Sequence, residues 1–294
     1  MQLIDTTSQE SCWETRRGRS AVTRQCSVAA AILACWISIA GTANGQIVLV
    51  QEDFEDLTLG PFVTEHIAFQ GIATDADWTD ELPPGWTRDN TTTPPPTPGD
   101  FNTGPREYFG WTFMDKDQWF AQQGQDRDRF TRGRGTVAVA DGDGYDDLVP
   151  RIGPTGPGEN LFNVFLMTPE FSLAGLPANS VDVSFDSSWR PFDEMRATVD
   201  ASFDSGQTWN NLLTYTVANT GPVSTLARAN EAVRVPMNNP AGGTAIVRWG
   251  LEDSGNAWWW AFDNVEIVAT GDPMTLEVNK GTGAMRFLAQ VPQL

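Results

Sequence analysis

The residues with the plainest chemistry are carboxylates set in short, glycine-punctuated runs. Ala140-Asp141-Gly142-Asp143-Gly144-Tyr145-Asp146-Asp147 is the densest of them. Calcium takes about six to eight oxygen ligands, and such a loop can turn several oxygens inward because its glycines permit tight turns. No Glu follows at the EF-hand spacing, so the run makes Asp141 and Asp143 candidate metal ligands of another kind, against the ordinary reading of a solvated acidic turn. Glu252 and Asp253 could supply half of a glycosidase carboxylate pair. That mechanism needs a second carboxyl across a cleft, which sequence alone does not provide. His66 is the only histidine, which removes any multi-histidine zinc site. Nucleophile elbows, phosphate loops and dinucleotide fingerprints are absent.

Aromatic residues supply a second kind of chemistry, because sugars stack on the faces of Trp and Tyr. Trp258, Trp259 and Trp260 are consecutive. In a strand, two of them share one face and the third takes the other, so at least one should turn away from the main core. They are candidate ligand-binding residues, with core packing as the ordinary alternative. Arg190, in Trp189-Arg190-Pro191-Phe192-Asp193-Glu194, could hold an acidic ligand group or pair with Asp193 or Glu194. Ser202-Phe203-Asp204-Ser205-Gly206-Gln207-Thr208-Trp209 fits the Asp-box pattern at every fixed position. The chemistry of that box is structural, and one box does not make a sialidase.

The elements that must position these groups are strands. Short runs rich in Val, Thr, Phe and Trp are separated by Gly, Pro, Asn and Asp, which predicts strands near 47–50, 108–114, 136–140, 162–167, 181–185, 198–203, 212–217, 232–235, 245–251 and 258–268. Val181, Val183 and Phe185 alternate with polar neighbours, as do Ala197, Val199, Ala201 and Phe203. Such alternation gives one buried and one wet face, hence antiparallel sheets. No convincing amphipathic helix follows Gly45. The expected fold is all-β, an antiparallel β-sandwich of the jelly-roll kind over residues 46–270. Residues 90–104 and 151–160 read as loops, and 271–294 as a C-terminal β-hairpin that could open a further module.

The 294-residue chain carries 19 Lys+Arg against 38 Asp+Glu, a formal charge of −19. That balance argues against a nucleic-acid partner, since phosphate binding needs clustered basic residues. Residues 1–45 have the order of a secretory signal peptide: a segment with four arginines, the apolar run 26–40, then small residues. The apolar run is too short to span a membrane. The expected location is therefore extracellular or periplasmic, with no transmembrane segment in the mature chain. All three cysteines, Cys12, Cys26 and Cys35, lie in that leader. Its removal leaves 15 basic against 35 acidic residues, a net of −20 without a disulfide. Core size, bound metal or both must then stabilise the fold.

Five segments occur in a telling order: Glu52-Asp53-Phe54-Glu55-Asp56, Leu82-Pro83-Pro84-Gly85-Trp86, Phe165–Phe171, Val181–Asp186 and Trp258–Ile267. Together they resemble the secreted bacterial jelly-roll modules of the choice-of-anchor J and cleaved-adhesin type, related to MAM domains. The triple Trp and Phe262-Asp263-Asn264 depart from the usual pattern. The resemblance implies a non-catalytic binding or adhesion module with a calcium ion held near Asp53, Glu55 and Asp263, and a glycan or cell-envelope ligand. A glycoside-active jelly roll and a purely structural spacer are the competing readings.

Overall fold

A computed structural model describes residues 46–60, 77–95, 105–146, 162–192, 194–221, 226, 228–255, 257–270, 275–278 and 285–288. The segment 1–45 expected to be a leader, His66 and residues 151–160, expected as a loop, lie outside them, as does most of the proline-rich stretch. The strands in chain order are β1 (Gln46–Glu52), β2 (Trp78–Thr79), β3 (Thr87–Asp89), β4 (Trp111–Asp115), β5 (Thr136–Asp141), β6 (Phe162–Met167), β7 (Phe171–Ser172), β8 (Val181–Trp189), β9 (Arg196–Ser202), β10 (Asn210–Thr216), β11 (Glu231–Pro236), β12 (Thr244–Ser254) and β13 (Trp259–Thr270). Two more, β14 (Thr275–Val278) and β15 (Met285–Leu288), pair antiparallel with each other.

Two antiparallel sheets make the β-sandwich. The first runs β11-β8-β13-β5-β4-β2, with β1 also on β13, and the second β10-β9-β12-β6-β3, with β7 also on β12. Alternation decides the faces. Val181, Val183 and Phe185 are buried while Asp182, Ser184 and Asp186 are partly open. Between the sheets lies an aromatic core in which Trp249 stacks on Phe262 at 5.0 Å and 22°. Trp111 meets Phe262 edge-on at 5.1 Å, and Phe54 packs on Phe113 at 5.1 Å. Such contacts add specific geometry to the burial of large apolar areas, which is how a disulfide-free fold of this size holds.

Strand β13 organises the site. Its first half pairs with β5 and its second half with β1, along the same edge, while β8 runs beside both halves. A bulge between Asp263 and Glu266 shifts the register against β8, and Asn264 takes a left-handed φ of 54° there. Between β4 and β5 the chain leaves the sheet as α1 (Lys116–Gln123) and a short 3₁₀ turn, Arg127–Arg129. Asp115 caps α1 by accepting from Gln118 N at 2.9 Å. Among the described residues no helix is long and apolar enough to cross a membrane.

Candidate functional site

The excursion between β4 and β5 covers the outer face of the first sheet. Trp119 of α1 meets Trp259 edge-on at 5.6 Å and 89°. Arg127 lies over the Trp259 ring with its guanidinium carbon 4.2 Å from the centroid. Its Nε and one terminal nitrogen donate to both oxygens of Asp141, at 2.7 to 3.0 Å, and that terminal nitrogen also reaches Asp143 at 3.2 Å. Asp141 accepts further from Trp119 Nε1 and Gly144 N, each at 2.9 Å. Arg127 and the Asp141 side chain are both fully buried. Asp141 and Asp143, expected to hold a metal, thus both turn on an internal guanidinium.

Trp259 and Trp260 face opposite sides of the sheet, as alternation requires, yet both are fully buried. Trp260 packs inside the sandwich at 5.8 Å from Trp111, and Trp259 lies beneath Arg127. Neither offers a face to a glycan, which corrects the expectation for these two residues. The outer layer that covers Trp259 is the physical reason.

Trp258, just before β13, is only partly buried. Arg190 lies on its ring at 3.8 Å, and Phe192 meets it edge-on at 6.4 Å and 83°. Phe192 is 40% exposed. The connection carrying Arg190 and Phe192 starts where Arg190 N donates to Trp259 O at 3.1 Å, extending the β8–β13 ladder. One guanidinium nitrogen donates to Gln125 O, and Asp126 lies 3.6 Å away. Burial lowers the pKa of Arg190, Asp126 opposing and Arg127 adding to that. Arg190 Nε and Trp258 Nε1 are both closed to water and have no hydrogen-bond partner. Arg190 therefore faces Asp126; of the two acids expected to pair with it, Asp193 lies outside the described residues, and no ion pair joins it to Glu194 among those described.

Of the remaining metal candidates, Glu55 and Asp263 come together. Asp263 is 1% exposed and accepts from Arg134 N at 3.0 Å and Asn264 N at 2.7 Å. A Cβ on Gly135 would fall 2.3 Å from a Glu55 carboxylate oxygen, so the acid lies directly on this bare backbone. Burial pushes the Asp263 carboxyl up to about 7; the two amides oppose this, and the charges of Glu55 and Asp186 add to it. Asp53 is exposed, and its carboxylate accepts from Glu55 N at 3.3 Å. Among the described residues no three His, Cys, Asp or Glu side chains are gathered to hold one metal ion.

The Asp box folds as its pattern dictates. Asp204 accepts from Thr208 N at 2.8 Å, Thr208 Oγ1 at 2.6 Å and Ser202 Oγ at 2.8 Å, which brings its pKa down to about 2. Trp209 leans out onto Arg248 at 4.2 Å, and Phe165 takes the other contact at 4.3 Å. Sequence reasoning missed this further arginine–aromatic stack, since its members come from three separate strands or turns. Asp200 holds Arg248 Nε at 2.9 Å. Glu252 and Asp253 both reach Arg196, at 3.2 and 2.9 Å, so they share one cation rather than facing each other.

No protein-family model matches the chain, and no protein with a curated description matches it significantly. Several solved structures are similar at low identity. The K1 cleaved-adhesin domain of Lys-gingipain from Porphyromonas gingivalis W83 shares 18% identity over 65% of this chain and 95% of that domain, with a TM-score of 0.38. The module TmCBM61, solved with β-1,4-galactotriose, shares 11% over 63% of this chain and 89% of its own, at 0.34. The Stig cyclase Fisc from Fischerella sp. TAU shares 12% over 76% and 98%, at 0.42.

Proposed function

We propose that this chain is an exported, non-catalytic binding module of the cleaved-adhesin type, taking a glycan or cell-envelope component at the Arg190–Trp258–Phe192 patch. The observation that carries this reading is the patch itself. A half-open Trp, an exposed Phe and an arginine stacked between loops meet where two N–H donors have nothing to bind. Apolar faces beside unpaired donors suit a sugar, which offers C–H faces and oxygen acceptors together. A spacer would have no use for such a patch. A glycan array probed with the full chain, with and without calcium, tests the reading. Binding that Phe192→Ala and Trp258→Ala both weaken supports it, and silence in both conditions overturns it.

Calcium belongs to the same reading as a stabiliser. The buried Asp263 carboxylate lies near Glu55 and Asp186, of which Asp186 is answered by Arg132 at 3.2 Å, and hard oxygen donors favour calcium. Glu55 and Asp263 would supply two of the ligands, and the remainder would have to come from backbone oxygens. A rise in Tm on adding calcium to chelator-treated protein, lost in Asp263→Asn, supports the site. An unchanged Tm sinks it.

A further inference from the structure

We infer that the ligand at the Arg190–Trp258 patch is an uncharged glycan, bound through hydroxyl or ring oxygens that accept from Arg190 Nε–H and Trp258 Nε1–H. This rests on the binding reading above and adds the class of ligand. The unpaired donors are not a general looseness of the structure. Trp119 Nε1 donates to Asp141 at 2.9 Å, Trp259 Nε1 to Ser188 Oγ at 3.2 Å, Trp260 Nε1 to Ser187 Oγ at 3.0 Å and Trp189 Nε1 to Thr220 Oγ1 at 3.2 Å. Trp249 Nε1 is also unpaired, but it is sealed in the sandwich core. Among the described residues, Arg190 and Trp258 are the stacked pair in which both side chains carry an unpaired donor beside an exposed ring. Buried donors left unmade penalise the free protein, and an entering acceptor removes that penalty.

The charges around the patch decide which acceptor. Arg127, Arg129 and Arg190 face Asp126, Asp141 and Asp143 in ion pairs of 2.7 to 3.6 Å, three cations against three anions. Exposed Asp128 and Glu194 stand nearby in sequence, and the whole chain carries −19. No positive charge is left over to attract a carboxylate or sulfate, and the long-range field repels a polyanion. Neutral oxygens satisfy the donors without that repulsion. Phe192, edge-on to Trp258 and on a connection outside the sheets, is 40% exposed beside them.

The test is affinity electrophoresis of the full chain through neutral polymers (β-1,3-glucan, xylan, galactan) and acidic ones (polygalacturonate, alginate). At least one neutral polymer should retard the wild type, and the acidic ones should not. Trp258→Phe keeps a ring and removes the donor. It should weaken binding about fivefold, the scale of one net hydrogen bond, with no fall in Tm. The ¹⁵N-indole resonance of Trp258 should shift on adding the bound polymer to wild type, which needs no variant. Retardation by acidic polymers alone, or a Tm drop of several degrees in Trp258→Phe, overturns the inference and leaves the binding reading standing; an unmoved Trp258 indole signal overturns both. Silence from every polymer overturns both.

Discussion

Two arginines lie on two consecutive tryptophans, and they differ in nearly everything else. Arg127 on Trp259 is fully buried and bonded through Nε and both terminal nitrogens to Asp141, Asp143 and Gln125. Arg190 on Trp258 leaves Nε unpaired, donates one terminal nitrogen to Gln125 O and meets its one acid, Asp126, only at 3.6 Å. The same stacking motif therefore serves once as a pin for the outer layer and once as an incomplete coordination shell. The difference comes from the backbone. Arg127 belongs to a layer that closes over the sheet, whereas Arg190 begins a connection that leaves it.

The largest expected effect breaks the first pair. Arg127→Met leaves Asp141 buried without a cation and should cost about 3–5 kcal/mol, read as a lower urea midpoint. Arg190→Met should cost about 1 kcal/mol or less, since a long contact with a partly exposed acid contributes little. Equal losses would erase the distinction. Trp259→Ala should likewise cost about 3–5 kcal/mol as a buried large-to-small change, well above the cost of Trp258→Ala.

A third buried acid sharpens the comparison, because Asp263 has no guanidinium. Its carboxyl is held near 7 in the folded protein against an ordinary value of 3.8, chiefly by burial. Between roughly pH 4 and 7 the folded state thus binds a proton that the unfolded chain has released. Without calcium, stability should fall as pH rises through that window and flatten above it. Asp263→Asn should flatten the slope, measured by denaturant unfolding across pH. A comparably small effect lies in the Asp box, where Gly206 has a φ of +86°. Gly206→Ala should cost about 1 kcal/mol and leave glycan binding unchanged.

The sandwich was legible wherever alternation ran for five residues or more, as in β8, β9 and β12. Strands β2, β3 and β7 have two or three residues, too few to show a period. Helix α1 escaped notice because it presents little more than Trp119 to the sheet, with polar neighbours on most sides. The faces of Trp259 and Trp260 followed from their spacing, but their burial did not. What covers Trp259 arrives from residues 119 and 127, far from it in sequence. The partner of Asp141 was hidden for the same reason: a carboxylate-rich loop reads alike whether a metal ion or an arginine answers it. Glu55 and Asp263 came into view through the family resemblance, and their proximity is made by the β1–β13 ladder and the bulge beside it.

That ladder has a mechanical meaning. Gln46 pairs with Thr270, so the sandwich begins and ends on the same rung. Tension applied through these two points loads the β1–β13 hydrogen bonds one rung at a time, as in opening a zipper, rather than all together in shear. Within a longer chain under pull, the module would hang beside the line of force and yield early. Optical-trap extension from both ends should show first release at low force, with the contour length of β1 freed before the rest.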